Sequence, residues 1–322
     1  MAKWLAILVA VAAVLWGGWW IVGSRALERG ATGAIASARA SGWDIAYGDL
    51  SVAGFPSRFD TTVTSPRVTT PDGAVGWAAP FVQIIALSYR PNKAILVAPH
   101  RMEVATPFAP FTITSEDLRA SVTVTPSRRP VLDHATLVAD RLSVTDGDFG
   151  ATLRQGQVAT RQAGSDRVHD LAVSLADIGL LPELRAQLDP GAALPDTIGA
   201  IDIDAQITLT EAPGVGRQPR PEALTLRRAT VAWGDLRVKV TGDVIVASDG
   251  IPEGTLLLEV EGAATALRLA ADLGVVPADC VPLIAAGLAG MTADDGRVTM
   301  DLTLAGGQMR LGAIPLGPLP RL

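Results

Sequence analysis

The residues best suited to chemistry are few and scattered in this 322-residue sequence. His100, His134 and His169 lie far apart, and the single cysteine, Cys280, has no histidine near it in sequence. A catalytic thiol needs an activating neighbour, and a metal site needs ligands at defined spacings. One cysteine also cannot form an internal disulfide. The sequence therefore predicts no catalytic residue and no metal or cofactor site, with Cys280 as a small buried side chain.

Acidic residues provide the other candidates. Asp146-Gly147-Asp148 and Asp294-Asp295-Gly296 contain residue types that bind calcium, but neither continues with the spacing of a calcium loop. Asp202 and Asp204 are two residues apart, which places both on one face of a strand. We interpret the first two segments as turns and the pair as a solvated strand face. We therefore expect a protein that is not an enzyme.

Composition excludes some classes of function. The net charge is −6, whereas binding to nucleic acid needs a concentrated basic face. The hydrophobic fraction is 48% and the mean hydropathy is +0.31, so most of the chain has enough apolar residues to fold. Aromatic residues make up only 5%, which disfavours a stacking platform for sugars or single-stranded nucleic acid.

An apolar segment near the N-terminus predicts a membrane anchor. Residues 4–22 carry no charge, and a helix of that length spans roughly 28 Å, about one bilayer core. Trp4 lies at one end and Trp16, Trp19 and Trp20 at the other, as interfacial tryptophans do. A cleaved signal peptide would have a shorter apolar region and a small-x-small site. We therefore expect an uncleaved membrane anchor.

The flanking charges leave the orientation of this anchor nearly undecided. Lys3 precedes it, and Arg25 and Arg29 follow it, partly offset by Glu28. Because the residues ahead of the apolar run are few, we expect them to stay in the cytoplasm and the body to be exported. We therefore expect a single-pass protein with an exported body.

After a helical stem at residues 24–42, the hydrophobic period changes to two. Residues 201–209, 236–241 and 297–304 each alternate apolar with polar side chains, which is typical of antiparallel strands with one buried face. Weaker alternation recurs through residues 58–175. Consecutive strands without intervening helices indicate a meander.

These patterns predict a mainly β fold, in which about 15 short strands form long curved antiparallel sheets packed on a few short helices. Apolar residues at helical spacing predict helices at 177–188, 263–273 and 278–289. The stretch 189–197 (DPGAALPDT) is the best internal boundary. We expect a transmembrane anchor (1–23), a stem (24–42), an N-terminal β-rich half (43–190), and a C-terminal β-rich half with two short helices (191–322).

One segment after the stem has a more individual pattern. Gly54-Phe55-Pro56-Ser57-Arg58 separates two strand-like runs, and glycine plus proline forces a reversal of the chain there. We expect a structural β-corner that includes Gly54, Phe55, Pro56 and Arg58.

With the anchor and stem, this corner resembles the bacterial envelope family known as domain of unknown function 2125. Further matches are Trp77-Ala78-Ala79-Pro80, Tyr89-Arg90-Pro91 and the closing LAGGQMRLGAIPLGPLP at 304–320. The resemblance covers most of the chain and implies no chemistry for any residue. Residues 224–317 are also similar to C-terminal parts of AsmA-type envelope proteins. That second resemblance implies an inner-membrane anchor and long curved sheets with an apolar groove involved in lipid movement.

Two functional hypotheses follow. In the first, an inner-membrane-anchored periplasmic protein binds or passes phospholipid through an apolar groove, in envelope maintenance. In the alternative, the body is a scaffold without a ligand cavity, and its polar strand faces and edges bind other envelope proteins. An apolar sheet face must be covered, and the sequence leaves open whether side chains or lipid cover it.

Overall fold

The computed structural model describes residues 2–214, 216–274, 276, 279, 281–291, 296–312 and 314–320. Cys280, Asp294 and Asp295, which the sequence analysis assigned to a buried position and a turn, lie outside the described residues. The helices are α1 Ala2–Ala40, α2 Pro182–Leu188, α3 Ala263–Asp272 and α4 Val281–Met291. The strands are β1 Asp44–Ala46, β2 Leu50–Ala53, β3 Arg58–Thr64, β4 Arg67–Thr69, β5 Gly76–Ala78, β6 Phe81–Leu87, β7 Arg90–Val97, β8 Arg101–Ala105, β9 Pro110–Thr114, β10 Asp117–Val124, β11 Leu132–Asp146, β12 Phe149–Ala163, β13 Ser165–Leu180, β14 Thr197–Leu209, β15 Pro221–Trp233, β16 Leu236–Val246, β17 Pro252–Glu261, β18 Arg297–Ala305, β19 Gln308–Leu311 and β20 Ile314–Pro318.

Helix α1 combines the predicted anchor and stem in one continuous element of 39 residues. Gly42 follows its end with a φ of 93°, a left-handed conformation that favours glycine. In the described part of the chain, α1 is the one helix whose length and composition suffice to cross a membrane. At 1.5 Å per residue it is about 58 Å long, roughly twice the thickness of a bilayer core.

The contacts divide the chain into two compact units, Met1–Thr123 and Val124–Leu322. In the first unit, the strands pair antiparallel in two series. One series runs β1, β4, β5, β8 and β9, and the other runs β2, β3, β6, β7 and β10. Phe59 and Met102 are buried apolar side chains of this unit, one from each series.

The second unit is an antiparallel meander. Each strand from β11 to β20 pairs with the next one in the chain. Helix α2 lies between β13 and β14, and helices α3 and α4 lie between β17 and β18. The hydrophobic core of the unit lies under α2 and α3, around Trp233, Leu236 and Val260.

Two residues with positive φ lie at the same level on different strands of the meander. Arg141 on β11 and Asp177 on β13 have φ values of 46° and 53°, which interrupt the regular pleat. Both lie opposite Arg154 on β12, because the residues that flank each of them pair with the residues that flank Arg154. Arg154 forms an ion pair with Asp177 there.

The main features of the predicted fold are confirmed, but three details differ. The strands number 20 in the described chain, and β11–β13 reach 15 or 16 residues. The helix predicted at 177–188 begins only at Pro182, because residues 177–180 continue β13. The boundary predicted at 190–191 falls between β13 and β14, which pair along most of their length, whereas the contacts divide the chain at 123–124.

Candidate functional site

The first candidate site is the junction between α1 and two turns of the first unit. We call residues 54–58 the corner and residues 88–89, between β6 and β7, the hairpin tip. The indole N–H of Trp16 donates to the carbonyl of Pro56 at 2.9 Å. The indoles of Trp20 and Trp19 donate to the carbonyls of Arg58 at 2.7 Å and Ser88 at 3.3 Å. Three indoles of one helix thus bind both turns.

Aromatic packing supports the same junction. Trp20 lies edge-on to Phe55, with ring centroids 5.5 Å apart, and stacks on Phe59 at 6.0 Å. A Cβ on Gly23 would lie 2.6 Å from Cζ of Phe59, so glycine permits the close approach of helix and strand. Phe59 is only 3% exposed, whereas Phe55 remains 60% exposed.

The corner itself is closed by local bonds. Gly54 has a φ of 99°, and the Phe55–Pro56 peptide is cis. The amide of Arg58 donates to the carbonyl of Gly54 at 2.9 Å, and the guanidinium of Arg58 lies 3.0 Å from the carboxylate of Asp60. The hydroxyl of Ser88 donates to the carbonyl of Pro56 at 3.2 Å, which joins the hairpin tip to the corner.

The structure therefore brings together residues that the sequence analysis assigned separately to the anchor and the corner. Trp16, Trp19 and Trp20 contact the corner and the hairpin tip, while Trp4 is 77% exposed. The sequence patterns did not indicate the roles of Gly23, Phe59 and Ser88. A glycine just after a tryptophan cluster was the available signal, but its partner could not be identified.

The second candidate site lies in the second unit, where apolar side chains of eight strands form one row. Directly paired residues of antiparallel strands have their side chains on the same face. Following the pairs from β11 to β18 gives an unbroken series of apolar neighbours, about 34 Å long at roughly 4.8 Å per strand. This apolar row comprises Leu137, Val158, Val173, Ile203, Ala229, Val240, Leu258 and Met300.

Parallel rows flank the apolar row on the same face. One runs from Leu175 through Ile201, Val231, Val238 and Val260 to Val298, and the other from Leu171 through Ala205, Leu226, Gly242 and Leu256 to Leu302. The opposite face is polar, as the pairs Ser174–Asp202 and Lys239–Glu259 illustrate. The sheet of this unit therefore has one apolar and one polar face.

Helices cover only part of the apolar face. Leu258 and Met300, at the β18 end of the row, pack against the core cluster beneath α2 and α3. Val173, Ile203 and Val240 are half-buried and lie outside that cluster, and Leu137 at the other end is 41% exposed. Contiguous apolar surface of this kind is uncommon unless something binds it.

A cavity of about 140 Å³ lies where the helices meet the sheet. Its walls include Leu258 and Met300 of the apolar row, Leu267 of α3 and Ile284 of α4. The volume is smaller than the roughly 300–1,000 Å³ of common ligand pockets. The cavity could hold only a small apolar group, so a whole acyl chain would have to lie along the half-buried face.

The polar face carries a network of ion pairs centred on Asp170. Its carboxylate accepts hydrogen bonds from Arg227 at 2.7 Å, Gln206 at 3.1 Å and Arg161 at 3.2 Å. Arg227 also contacts Asp204 at 3.1 Å. The hydrogen bond from Arg227, more than any other contact, holds the pKa of Asp170 below its usual value. A carboxylate held ionised in this way is a poor general base.

The histidines are separate from one another. His100 contacts the carbonyl of Ser115 at 2.9 Å, and His134 contacts Asp133 at 3.0 Å. His169 is 2% exposed on the apolar face, and neither ring nitrogen has a partner among the described residues. Within the described ranges, no group of three or more His, Cys, Asp or Glu side chains could hold a metal ion. Asp146-Gly147-Asp148 forms the β11–β12 turn, as predicted.

These features define a mainly β protein whose N-terminal helix is long and apolar enough to cross a membrane. The chain belongs to the bacterial family described as "Uncharacterized protein conserved in bacteria (DUF2125)", which matches residues 20–320. This match confirms the first of the two resemblances noted in the sequence. A search of curated proteins gives no match.

Proposed function

We propose that this protein is anchored in the bacterial inner membrane by α1 and binds phospholipid acyl chains along the apolar face of its second unit, as part of envelope maintenance. The proposed role is binding or passage of lipid rather than catalysis. The observation that carries the proposal is the apolar row, which crosses eight strands in register without a polar residue.

The dimensions of the row suit an acyl chain. Its length of about 34 Å exceeds the roughly 30 Å thickness of a whole hydrocarbon core, so a chain from one leaflet can lie along it without leaving apolar surface. A methylene that is fully removed from water contributes about 0.8 kcal/mol, and contact with the sheet face supplies part of that amount. Polar groups are not needed for this contact, and the row offers none.

The composition of the row favours lipid over a protein partner. Protein interfaces are enriched in Tyr, Trp and Arg, whereas the row contains only Leu, Val, Ile, Ala and Met. A helix that crosses the membrane would also keep the chain close to a supply of lipid. The body then lies in the periplasm, according to the expectation from the sequence.

The test compares phospholipids bound to the full-length wild type and to matched variants, by native mass spectrometry. Val173→Thr combined with Val240→Thr keeps the shape of the apolar row but adds two hydroxyl groups. Ser174→Ala combined with Thr230→Val is the control on the polar face, where it removes two hydroxyl groups and leaves the apolar row unchanged. Because all proteins share α1, any lipid lost only from the first variant belongs to the row. Equal lipid counts in all three folded proteins would contradict the proposal.

A further inference from the structure

The charge-free part of α1 is only just long enough to cross a bilayer. It extends from Trp4 to Ser24, between Lys3 and Arg25, and 21 helical residues span roughly 31 Å, against about 30 Å for a hydrocarbon core. Among the described side chains, the first hydrogen bond from α1 to the body is that of Trp16. Trp4–Leu15 alone spans roughly 18 Å, so the segment from residue 16 onward must supply about the last 12 Å.

That last segment is the part of α1 that is bonded to the body. Trp16 and Trp20 bind the corner and Trp19 binds the hairpin tip. If residues 16–24 complete the crossing of the bilayer, both turns must lie in the lipid layer that surrounds those residues. A tilted helix would need a still longer apolar segment, which would carry them deeper.

We propose that the corner and the hairpin tip insert into the lipid leaflet beside α1, so that Phe55 and Tyr89 contact the acyl and headgroup boundary of the bilayer. This inference rests on membrane anchoring by α1, which is part of the proposed function, but not on lipid binding by the sheet face. It identifies phospholipid as the partner of a surface in the first unit.

The side chains of both turns have the chemistry of a membrane interface. Phe55 is 60% exposed and Tyr89 is 59% exposed. Arg58 and Arg90 are the exposed basic residues that accompany them. Aromatic rings at the headgroup level, with basic side chains directed toward it, are the usual anchors at this depth.

The hydrogen bonds of the junction solve a problem that insertion creates. Backbone carbonyl groups in an apolar layer need donors, since no water reaches them. The carbonyls of Pro56, Arg58 and Ser88 receive theirs from the three indoles of α1. The pairing of donor and acceptor thus makes both turns compatible with lipid.

The experiment uses the full chain with Cys280→Ser, carrying one new cysteine in Phe55→Cys or Tyr89→Cys and an environment-sensitive fluorophore. Phe108→Cys is the matched control, because Phe108 is 95% exposed at the β8–β9 turn of the same unit. That turn follows Ala105. Ala105 pairs with Gly76, Gly76 pairs with Thr69, and Thr69 pairs with Asp44, which lies near the C-terminal end of α1. This end is about 30 Å along the helix from Trp20.

Flotation with phosphatidylethanolamine–phosphatidylglycerol vesicles first establishes that the chain is anchored, and a chain that does not float overturns both anchoring and insertion. In floating protein, doxyl-labelled lipid should remove most of the fluorescence at positions 55 and 89, while aqueous iodide should remove it at position 108. Tyr89→Cys leaves the Trp20–Phe55 contact intact, so its result does not depend on corner packing. Iodide quenching at 55 and 89 equal to that at 108 would overturn the insertion while leaving the proposed function in place.

Discussion

The indole N–H of Trp20 donates a hydrogen bond of 2.7 Å to the carbonyl of Arg58, 38 residues further along the chain. This bond, together with the stacking of Trp20 on Phe59, joins the membrane-type helix α1 to the sheet of the first unit. The helix is therefore part of the folded unit and not a separate tether, so changes at the junction should alter stability as well as membrane attachment.

Replacing Gly23 with Ala tests the packing of this junction. The new Cβ would lie 2.6 Å from the ring of Phe59, which is buried and cannot easily move. We expect a net loss of about 1–2 kcal/mol, because overpacking outweighs the gain in helix propensity. Thermal unfolding in detergent measures it. Gly30→Ala is the control, since nothing lies within 4 Å of a Cβ there; equal or higher stability of both variants would contradict the packing.

Trp233→Phe tests the core beneath the helices of the second unit. Trp233 is 6% exposed, and its indole donates to the carbonyl of Pro195 at 2.8 Å. The loss of this bond and of ring volume should cost about 1–3 kcal/mol. Trp43→Phe, at a side chain that is 39% exposed, should change stability by less than about 0.5 kcal/mol. A Trp233→Phe protein that melts with the wild type would show that this core is not as described.

Asp170→Asn tests the network on the polar face. Because the folded-state pKa of Asp170 lies below its usual value of 3.8, the ionised carboxylate stabilises the fold above that pH. This stabilisation is lost as the pH falls through the lowered pKa. The variant should be less stable near neutral pH by about 1 kcal/mol, and should lose less stability than the wild type on acidification.

The matched change is Asp202→Asn, at a carboxylate that accepts its bond from the Ser174 hydroxyl at 2.8 Å. An amide oxygen can accept the same bond, so this variant should keep the wild-type stability near neutral pH. Denaturant unfolding at several pH values distinguishes the two. Parallel profiles for wild type and Asp170→Asn would contradict the assigned role of Asp170.

The side of the membrane on which the body lies can be tested at Phe108. In a Cys280→Ser background, Phe108→Cys presents one accessible thiol on the first unit. We expect a membrane-impermeant maleimide to label it once the outer membrane is permeabilised, without lysis of the inner membrane. Labelling only after lysis would place the body in the cytoplasm and contradict the proposed orientation.

Local patterns predicted the secondary structure well where one rule applied. The alternation of residues 201–209 and 236–241 correctly indicated strands in β14 and β16. The prediction from helical spacing was wrong at residues 177–180. Leu180 and the leucines of α2 have helical spacing, but Asp177, with its positive φ, and Leu180 belong to β13. Propensity cannot distinguish a kinked strand from a helix start when both are apolar.

The long-range relationships could not be predicted. The bond from Trp16 to Pro56 joins residues 40 positions apart, and neither residue type specifies the other. The apolar row likewise depends on the registers of seven strand pairs, since a shift of one residue in any pair would bring side chains of the opposite face into it. The sequence indicated the tryptophans, the corner and the apolar strand faces, and the tertiary structure determined which of them are in contact.

Photo-crosslinking in living cells tests lipid binding most directly. A benzophenone amino acid replaces Ile203, in the apolar row, or its neighbour Asp202, on the opposite face. Irradiation should produce adducts of the full chain with phospholipid from position 203, and none from position 202. Val173 and Ser174 form a second matched pair on β13. An absence of lipid adducts at 203 and 173, or adducts there with protein alone, would contradict the account and favour a scaffold.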